Sequence, residues 1–328
     1  MCLAGQLEGT FMATFLVTGG AGFIGSNLVK RLVNDRLGEV RVIDNLSAGK
    51  RENLAEVINR IDFQPGDVRD RGFVEEQVRG IDVVFHHAAL ASVDQSISDP
   101  ITANESNIDG TLNILLAARD HGVRRIVYAS SAALYGDSPE LPKHEDMPID
   151  PLSPYALSKY AGERYCQLFY DLFGVETVCL RYFNVFGPNQ DAGSQYAAAI
   201  PRFISAILKG KAITIYGDGE QTRDFAFIEN IVSANLLAAS SKNGVGEVFN
   251  IACGERISIN QLAKYLMEAL GRSVPVVHEA PRAGEVKHSL ADISKAVKQL
   301  GYEPSVDVLE GLRRSATWAE SALSDPKG

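Results

Sequence analysis

The stretch that decides the fold is ATFLVTGGAGFIGSNLVKRLV, residues 13–33. It begins as a short apolar strand, and from Phe23 onward apolar residues recur at helical spacing. Between the two lies the turn TGGAGFIG, in which Gly19, Gly22 and Gly25 are three residues apart. Glycine suits a tight turn whose backbone must approach a pyrophosphate closely, and the helix that follows offers free N–H groups to phosphates. The stretch therefore predicts a strand, a phosphate-binding turn and a helix.

The rest of the first 180 residues continues this alternation. Later strands are predicted in VRVIDNLS, IDFQPGDVRD, IDVVFHHAA, RRIVYASSAALYG and VETVCLRYFNVFG, and NIDGTLNILLAARDHGV is an amphipathic helix. Strands alternating with helices predict an α/β fold, a Rossmann-type doubly wound parallel sheet. After Gly187 the pattern changes, which indicates a smaller C-terminal substrate-binding lobe. We predict a dinucleotide-binding domain over 1–187, with a return segment near 222–252, and a substrate-binding domain over 188–328.

The second predicted strand ends in Asp44, nineteen residues after Gly25. A carboxylate at this position accepts hydrogen bonds from ribose hydroxyls and repels a 2′-phosphate, so it favours NAD over NADP. Lys50 and Arg51 lie nearby and leave a minor use of NADP open. Asp67, after the third strand, is placed to reach the adenine.

A candidate reactive group follows the fifth strand. Ser131 ends that strand, and Tyr155 and Lys159 lie four residues apart in a helix predicted from about Pro154, so they share one face. In a doubly wound sheet these positions meet at the carboxyl ends of the strands. An ammonium beside a phenol lowers its pKa from about 10, so Tyr155 is a candidate general base. Ser131 would hold the hydroxyl that loses its proton.

Composition excludes several other classes of protein. The chain has 328 residues and a net charge of −9, with no basic stripe that would indicate a nucleic-acid binder. Its four cysteines are scattered, which favours reduced thiols, and its histidines lack metal-ligand spacing, so we expect no metal. No apolar run is long enough to span a bilayer, and residues 1–11 lack signal-peptide features and look like an unstructured extension. We expect a cytoplasmic enzyme without a membrane partner.

The motifs resemble a known family. TGGAGFIG, Asp44, SSAALYG and YALSK are similar to the extended short-chain dehydrogenase/reductase family, and RYFNVFG, YGDGEQTRDF and AGEVKHSLADISKA resemble its UDP-sugar 4-epimerases, especially the UDP-N-acetylglucosamine branch. The similarity extends from Thr14 to Trp318. It implies oxidation of the sugar at C4, rotation of the keto sugar and return of the same hydride from NAD. Related dehydratases and decarboxylases carry acidic residues where this chain has Ala132 and Ala133, so the resemblance favours epimerisation.

The resemblance also implies roles for individual residues. Tyr155 is the base and later the acid, Lys159 lowers its pKa and holds the nicotinamide ribose, and Ser131 binds the 4-hydroxyl. The predicted cofactor-binding set is Gly19, Gly22, Phe23, Ile24, Gly25, Asp44, Asn45, Asp67, Val68, Ala88, Ala89, Asn107, Tyr155 and Lys159. The predicted substrate-binding set is Ser92, Ser131, Asn184, Gln190, Arg223, Arg282, Glu285 and Ser289. Ser289 stands where epimerases restricted to UDP-glucose and UDP-galactose have a bulky tyrosine, so it leaves room for a 2-N-acetyl group.

Several alternatives stay open at this point. The chain resembles UDP-glucose-only and UDP-glucuronate 4-epimerases, and more distantly nucleotide-sugar decarboxylases and reductases. A non-catalytic NAD-binding regulator is the weakest alternative, because such proteins usually lose the tyrosine or the lysine. The family usually forms homodimers through helices that here lie near residues 100–120 and 154–172.

Overall fold

The computed structural model describes residues 13–191, 198–281 and 287–324, with side chains described as far as residue 321. The predicted N-terminal extension, residues 1–11, lies outside these ranges. The strands are β1 (Ala13–Thr18), β2 (Gly38–Asp44), β3 (Asp62–Pro65), β4 (Val83–His86), β5 (Arg125–Ser131), β6 (Glu176–Tyr182), β7 (Val185–Phe186), β8 (Ile213–Tyr216), β9 (Thr222–Arg223), β10 (Ala226–Phe227), β11 (Val248–Ile251), β12 (Ile257–Ser258) and β13 (Val276–Glu279).

The helices alternate with these strands. They are α1 (Phe23–Asn34), α2 (Arg71–Val78), α3 (Val93–Ser98), α4 (Pro100–Asn104), α5 (Gly110–His121), α6 (Pro154–Phe173), α7 (Ala199–Leu208), α8 (Ile228–Ser240), α9 (Ile259–Ala269), α10 (Ser294–Leu300) and α11 (Val308–Ser324). A π-helical segment, Glu105–Asp109, precedes α5, and short 3₁₀ segments cover Arg51–Leu54, Ile58–Arg60 and Ala132–Tyr135. Within the described ranges, no helix is both long and apolar enough to cross a membrane.

The central sheet has seven strands in the order β11-β6-β5-β4-β1-β2-β3, and all neighbouring strands are parallel. The order reverses between β1 and β4, which makes a crevice at their carboxyl ends. The predicted Rossmann-type doubly wound sheet is confirmed. The seventh strand, β11, comes from the later part of the chain, within the predicted return segment near 222–252.

Both faces of the sheet are buried, so its strands are nearly continuous apolar runs. Successive side chains of β1 enter opposite layers: Val17 packs with α1 and α8, while Leu16 packs with α2 and α5. The two layers hold the sheet rigidly and fix the strand ends that carry the site.

The smaller lobe is built on two short strand pairs. β8 pairs in parallel with β13, and β9 pairs antiparallel with β12. Helices α7, α9 and α11 pack in this lobe, and their apolar residues continue the core layer that contains α1 and α8. The division at residue 187 stays a prediction.

Candidate active site

The glycine turn has room for backbone only. Gly19 has φ +64°, and a Cβ added there would lie 2.8 Å from the Ala88 nitrogen. A Cβ at Gly25 would meet the Gly19 carbonyl oxygen and lie 2.8 Å from Gly20 Cα. No side chain caps the start of α1 at Gly22, which leaves the first N–H groups of that helix for an anion. The turn therefore fits the pyrophosphate of a dinucleotide, with Phe23 and Ile24 in the first turn of the helix.

Asp44 ends β2 beside this turn and is 7% exposed. Its carboxylate accepts the N–H of Ala21 at 2.9 Å and that of Leu46 at 2.8 Å. Burial raises the pKa of Asp44, and the two backbone donors oppose that rise. The carboxylate is thus held against the glycine turn, where it fits the ribose of a dinucleotide.

Asp67, the predicted adenine contact, is heavily engaged by its own neighbours. Its oxygen atoms accept hydrogen bonds from the Arg69 guanidinium and from Asn45 Nδ2 at 2.8 Å. Hydrogen bonds from Arg69, with a further one from Asn45, outweigh desolvation and lower the pKa of Asp67 to about 2. Val68 follows and is buried against Gly110. An adenine amino group at Asp67 must therefore share that carboxylate with Arg69.

A buried chain of hydrogen bonds ties the end of β4 to the glycine turn. Thr18 Oγ1 accepts the N–H groups of His87 and Ala88, at 3.1 and 3.0 Å, and it lies 2.7 Å from His86 Nδ1. His86 Nε2 lies 3.0 Å from Thr111 Oγ1, whose own proton goes to the Asn107 carbonyl. Thr18 therefore donates to Nδ1, and the His86 proton is on Nε2. Burial and then the Lys159 charge lower the pKa of His86 to about 3, so it stays neutral.

His87 differs from His86, because neither of its buried ring nitrogens makes a hydrogen bond of normal geometry, although Asn235 lies close enough to oppose the fall of its pKa. Its ring stacks on Tyr182, with centroids 6.2 Å apart, and burial lowers its pKa to about 3. Buried polar atoms are rarely left unpaired, and a ligand is one common explanation. Ala88 and Ala89 follow, half-buried at the same strand end. This orphaned imidazole beside the glycine turn also fits a polar cofactor.

Ser131 and Tyr155 come together as predicted. Ser131 ends β5, and its Oγ accepts the Ala133 N–H at 3.2 Å, which starts the 3₁₀ turn Ala132–Tyr135. The Tyr155 phenol lies near enough to the Ser131 hydroxyl for this neighbour to lower the pKa of the phenol. A sugar hydroxyl placed between them would have Tyr155 as its proton acceptor and Ser131 as a second hydrogen-bond partner.

Lys159 lies on the same face of α6 but is drawn away from the phenol. Its ammonium donates to the Ala129 carbonyl at 2.9 Å and lies 5.1 Å from the centre of the Tyr128 ring. The side chain is 4% exposed, and burial lowers the pKa of Lys159 to about 8.

The sequence predicts a lowered pKa for Tyr155 through Lys159, and the structure shows the opposite direction for the protein alone. Desolvation raises the pKa of Tyr155 above its ordinary value, and only the hydrogen bond with Ser131 opposes the rise. The reason is geometric: the Lys159 ammonium is bound to the β5 backbone at Ala129, while burial desolvates the Tyr155 phenol.

The start of α6 is anchored by serines that sequence reasoning missed. Ser153 caps the helix by accepting the Ala156 N–H at 3.1 Å, and Ser96 Oγ accepts the Tyr155 N–H at 3.0 Å. Ser158 donates to the Tyr155 carbonyl and accepts from Asn107 Nδ2, both at 2.8 Å. The backbone of Tyr155 is therefore held at both its N–H and its carbonyl, and the helix start is capped beside it.

Asn107, a predicted cofactor residue, has a structural role in this anchor. It is 1% exposed, accepts the Leu90 N–H at 2.7 Å and donates to the Leu90 carbonyl. It lies within the π-helical segment Glu105–Asp109, and such segments often mark functional sites. The structure thus uses Asn107 to join the end of β4 to α6.

Arg223 and Ser289 of the predicted substrate set lie on adjacent chain segments. Thr222 donates its N–H to the Lys287 carbonyl and accepts the Ser289 N–H, each at 3.0 Å. Arg223 Nη1 donates to the Thr222 and Lys287 carbonyls. The segment that carries Ser289, predicted to leave room for the N-acetyl group, is therefore paired with the strand that carries Arg223, the predicted phosphate-binding residue.

The remaining substrate residues are dispersed. Asn184 is exposed and donates to the Asp224 carbonyl at 2.9 Å. Gln190 donates to the Val185 carbonyl, and its buried Oε1 has no hydrogen-bond partner. Ser92 caps α3 by accepting the Gln95 N–H. Arg282 and Glu285 lie outside the described residues.

A buried ion pair behind Ser131 was also missed. Arg181 on β6 forms two hydrogen bonds with Glu163 on α6, at 3.0 and 2.7 Å, and both side chains are at most 4% exposed. Ser130 donates to Glu163 at 2.7 Å. Glu163 lies two turns after Tyr155 on the same face of α6, which is the one sequence signal for this pair. Among the described residues, no cluster of three metal-ligating side chains occurs.

Known proteins are similar to this chain over most of its length. The model of the NAD dependent epimerase/dehydratase family matches residues 15–252. A UDP-N-acetylglucosamine 4-epimerase from Methanobrevibacter ruminantium, solved with UDP-N-acetylmuramic acid, is 41% identical with a TM-score of 0.91, over 95% of this chain and 99% of that one. A UDP-glucose 4-epimerase from Mycolicibacterium smegmatis is 37% identical, over 92% of this chain and 96% of that protein.

The range of chemistry among similar proteins is wider than these two. A UDP-glucuronic acid 4-epimerase from Bacillus cereus, solved with UDP-glucuronic acid and NAD, is 33% identical. Its TM-score is 0.87, over 94% of this chain and 99% of that one. The three proteins share a 4-epimerase description and differ in the sugar that their descriptions name.

Proposed function

The chain belongs to the NAD dependent epimerase/dehydratase family, and we propose that it is a UDP-sugar 4-epimerase acting on UDP-N-acetylglucosamine and UDP-N-acetylgalactosamine. NAD is its cofactor, and the enzyme is an isomerase. The observation that carries the proposal is the position of Tyr155 near Ser131 at the carboxyl end of β5, one helical turn from a buried Lys159. UDP-glucose and UDP-galactose are further candidate substrates.

In the proposed mechanism, Ser131 and Tyr155 hold the 4-hydroxyl of the sugar. When bound, NAD supplies a hydride acceptor beside C4 and a positive ring that favours the phenolate. Tyr155 takes the hydroxyl proton as C4 becomes a ketone. It returns that proton to the same oxygen as the product with the opposite configuration at C4 forms. Ser131 donates a hydrogen bond to the reacting oxygen throughout. Lys159, with a pKa of about 8, carries a positive charge near neutral pH and would hold the nicotinamide ribose.

The neighbours of Ser131 support epimerisation over elimination or decarboxylation. Ala132 and Ala133 follow it in the 3₁₀ turn, and neither carries a group that can transfer a proton. A keto sugar at this site has Tyr155 as its acid–base partner and no second acid on the turn. It must therefore rotate and accept the hydride on its other face, which requires a tight grip on UDP and a loose grip on the sugar.

The proposed cofactor contacts follow from the fit described above. Gly19, Gly22 and Gly25 admit the pyrophosphate, and Asp44 accepts the adenosine ribose hydroxyls. The residues proposed to line the rest of the cofactor are Phe23, Ile24, Asn45, Asp67, Val68, Ala88, Ala89, Asn107 and Lys159. Asn107 acts partly through Ser158 and the backbone of Tyr155.

The proposed UDP-sugar contacts involve both parts of the chain. Arg223 and Arg282 would pair with the diphosphate, because a guanidinium binds phosphate oxygens through two parallel hydrogen bonds. Asn184 would contact the diphosphate and Glu285 the uridine ribose. Ser92, Gln190 and Ser289 would line the sugar, and the unpaired Oε1 of Gln190 is available to accept a sugar hydroxyl.

The test gives purified protein five UDP-sugars separately, without added NAD, and resolves the products by anion-exchange chromatography. The substrates are UDP-GlcNAc, UDP-GalNAc, UDP-glucose, UDP-galactose and UDP-glucuronate. Interconversion of the N-acetyl pair is expected. Conversion of only the glucose–galactose pair would contradict the substrate assignment and keep the epimerase, and conversion of UDP-glucuronate alone would move the assignment to that sugar. No conversion of any substrate would contradict the enzyme assignment.

A Ser289→Tyr variant in the same assay tests the gate. The larger side chain is expected to suppress turnover of the N-acetyl pair by at least about tenfold, while any glucose–galactose activity changes little, because filling a pocket discriminates mainly by volume. Equal loss on all substrates would instead indicate that the segment has been distorted.

We propose also that the protein forms a homodimer through α4 and α6. Large apolar side chains are exposed on these helices and on the neighbouring α3, among them Ile97, Ile101, Leu157 and Leu172. Exposed apolar surface of this kind marks an interaction site, and a second copy of the chain buries the same helices symmetrically.

A further inference from the structure

Asp224 is a buried carboxylate that the proposed mechanism does not use. It is 0% exposed and lies between β9 and β10, directly after Arg223. Its Oδ1 accepts the Cys253 N–H at 2.9 Å, and its Oδ2 accepts the N–H groups of Gly254 at 3.0 Å and Ala291 at 3.2 Å. Three backbone donors meet one carboxylate, and they come from two segments that are distant along the chain.

Only a carboxylate satisfies all three donors. Both oxygens of an ionised aspartate accept hydrogen bonds, whereas an asparagine amide would turn an NH₂ group toward at least one backbone N–H. Burying the charge has a cost, which appears as a pKa raised to about 6 by desolvation. A residue chosen only for stability does not require a buried charge, so its position relative to the site is informative.

One of the two segments is the strip Lys287–Asp292, which carries Ser289. One edge of the strip pairs with Thr222, through the bonds at Lys287 and Ser289 described above. The other edge pairs with Lys143, which donates to the Leu290 carbonyl and accepts the Asp292 N–H, each at 2.8 Å. Two charged side chains also bond to the strip: Arg223 donates to the Lys287 carbonyl, and the buried Asp224 carboxylate accepts the Ala291 N–H.

Asp224 also fixes the residues beside it. Its backbone carbonyl accepts Asn184 Nδ2 at 2.9 Å, and Asn184 in turn accepts the Ala226 N–H. Arg223, Asn184 and Ser289 are the proposed contacts for the diphosphate and for the sugar. Arg223 directly precedes Asp224 in the chain, and Asn184 is bonded to the Asp224 carbonyl. Ser289 lies two residues before Ala291, whose N–H is bonded to the Asp224 carboxylate.

We infer that Asp224 is a positioning residue for the nucleotide-sugar: it holds the Ser289 strip in fixed register against Arg223 and Asn184. This inference rests on the proposed function. Because the gripped part of the substrate does not react, a change in register weakens substrate binding more than it slows the chemical step at Tyr155. Asp224 touches neither the cofactor residues nor Ser131, so NAD retention does not depend on it.

The test compares Asp224→Asn with Asp292→Asn. Asp292 belongs to the same strip, but its carboxylate interacts with the backbone and side chain of the local Ser294, and asparagine can accept that N–H as well. Asp224→Asn is expected to weaken UDP binding in calorimetry by about tenfold or more and to raise KM similarly. Its kcat should change by less than about threefold, with NAD content unchanged, and Asp292→Asn should match the parent protein in every readout.

The outcomes separate this inference from the proposed function. A fall in kcat or in NAD content without a change in UDP affinity would overturn the positioning role, as would UDP affinity equal to that of the parent. A parent protein that does not bind UDP would overturn the proposed function, and the inference with it. Hydrogen exchange on the unmodified protein covers the case in which Asp224→Asn does not fold. UDP should protect the Cys253–Gly254 and Lys287–Asp292 amides together, and protection of neither segment, or of only one, would overturn the inference.

Discussion

Tyr155 is held at its backbone N–H, its backbone carbonyl and its side chain before any substrate arrives. Ser96 binds its N–H, Ser158 binds its carbonyl, and Ser131 contacts its hydroxyl. The protein alone raises the pKa of this phenol by burial, so most of the force that favours the phenolate must come from charge brought close during binding. The protein therefore fixes the position of Tyr155 by itself, and the pKa of the phenol falls only when a charged cofactor binds beside it.

Replacing Tyr155 by phenylalanine removes the proton acceptor and leaves the ring packing. We expect Tyr155→Phe to lower kcat by about 10²- to 10⁴-fold, the usual scale for a lost general base, while purified protein retains NAD. The matched control is Tyr160→Phe on the same helix, which should turn over at the parent rate. Turnover of Tyr155→Phe within a few-fold of the parent would remove the central assignment.

The Lys159 ammonium lies in a buried site, where a positive charge costs free energy. Its pKa falls from 10.5 to about 8 through burial, and at about 1.4 kcal/mol per pKa unit this corresponds to about 3 kcal/mol of instability at neutral pH. The penalty is complete below pH 8 and disappears as pH rises to the unfolded value near 10.5. Stability contributed by this group therefore increases with pH across that window.

Lys159→Met should consequently raise the free energy of unfolding at pH 7, by up to about 3 kcal/mol, and lower kcat. The gain should shrink as pH rises from 8 toward 10.5, because the lysine in the parent protein then loses its charge. Urea unfolding at several pH values measures this, with Lys264→Met on exposed α9 as the control that changes neither stability nor rate. A gain that stays constant with pH would show that the charge of Lys159 is not its cause.

At the scale of elements, the glycine turn and α1 act as one unit. Gly25 belongs to the helix, yet a Cβ on it would press into the backbone of Gly19 and Gly20. Gly25→Ala should therefore open the turn, reduce the NAD content of the purified protein and cost about 1–3 kcal/mol of stability.

Gly72→Ala is the control for that substitution, because Gly72 also lies in a helix and its added Cβ would meet nothing nearer than Asp70 Oδ1 at 3.5 Å. Bound NAD can be measured by absorbance after heat release, and stability by thermal melting. Full NAD content in Gly25→Ala would show that the turn tolerates the methyl group.

The sequence predicts some elements well and others not at all. The start of α6 at Pro154 is confirmed, because its signal is local: proline is favoured in the first turn of a helix. The π-helical segment around Asn107 has no such signal. It depends on bonds from Asn107 to Leu90 and to Ser158, residues that are distant along the chain.

At the scale of the whole molecule, the parallel sheet is predictable because strand runs, helix periodicity and the glycine turn agree with one another. The candidate site is less predictable. Its residue types appear in YALSK and TRDF, but the direction of the Lys159 ammonium and the burial of Asp224 follow from packing between segments. Sequence motifs therefore identify the candidate reacting groups, whereas their pKa values depend on tertiary contacts.

The outer face of α6 raises the question of assembly. Leu157 and Leu172 are 55% and 68% exposed, and Leu168 lies between them on the same helical face, while Ile101 of neighbouring α4 is 70% exposed. The inner face of α6 carries Tyr155, so a partner that packs on this helix also rigidifies the reactive group. The proposed dimer would therefore link assembly to catalysis.

We expect the purified protein to have the mass of a dimer by light scattering, and Leu157→Glu combined with Leu172→Glu to shift it to a monomer. Two carboxylates placed opposite their symmetry mates repel and leave the apolar face in water. Leu309→Glu on α11, at a position 48% exposed in the parent, is the matched control and should keep the dimer mass. If the double variant remains dimeric, the interface lies elsewhere. If it becomes monomeric with undiminished kcat, α6 holds its reactive geometry through Ser96, Ser158 and the core alone.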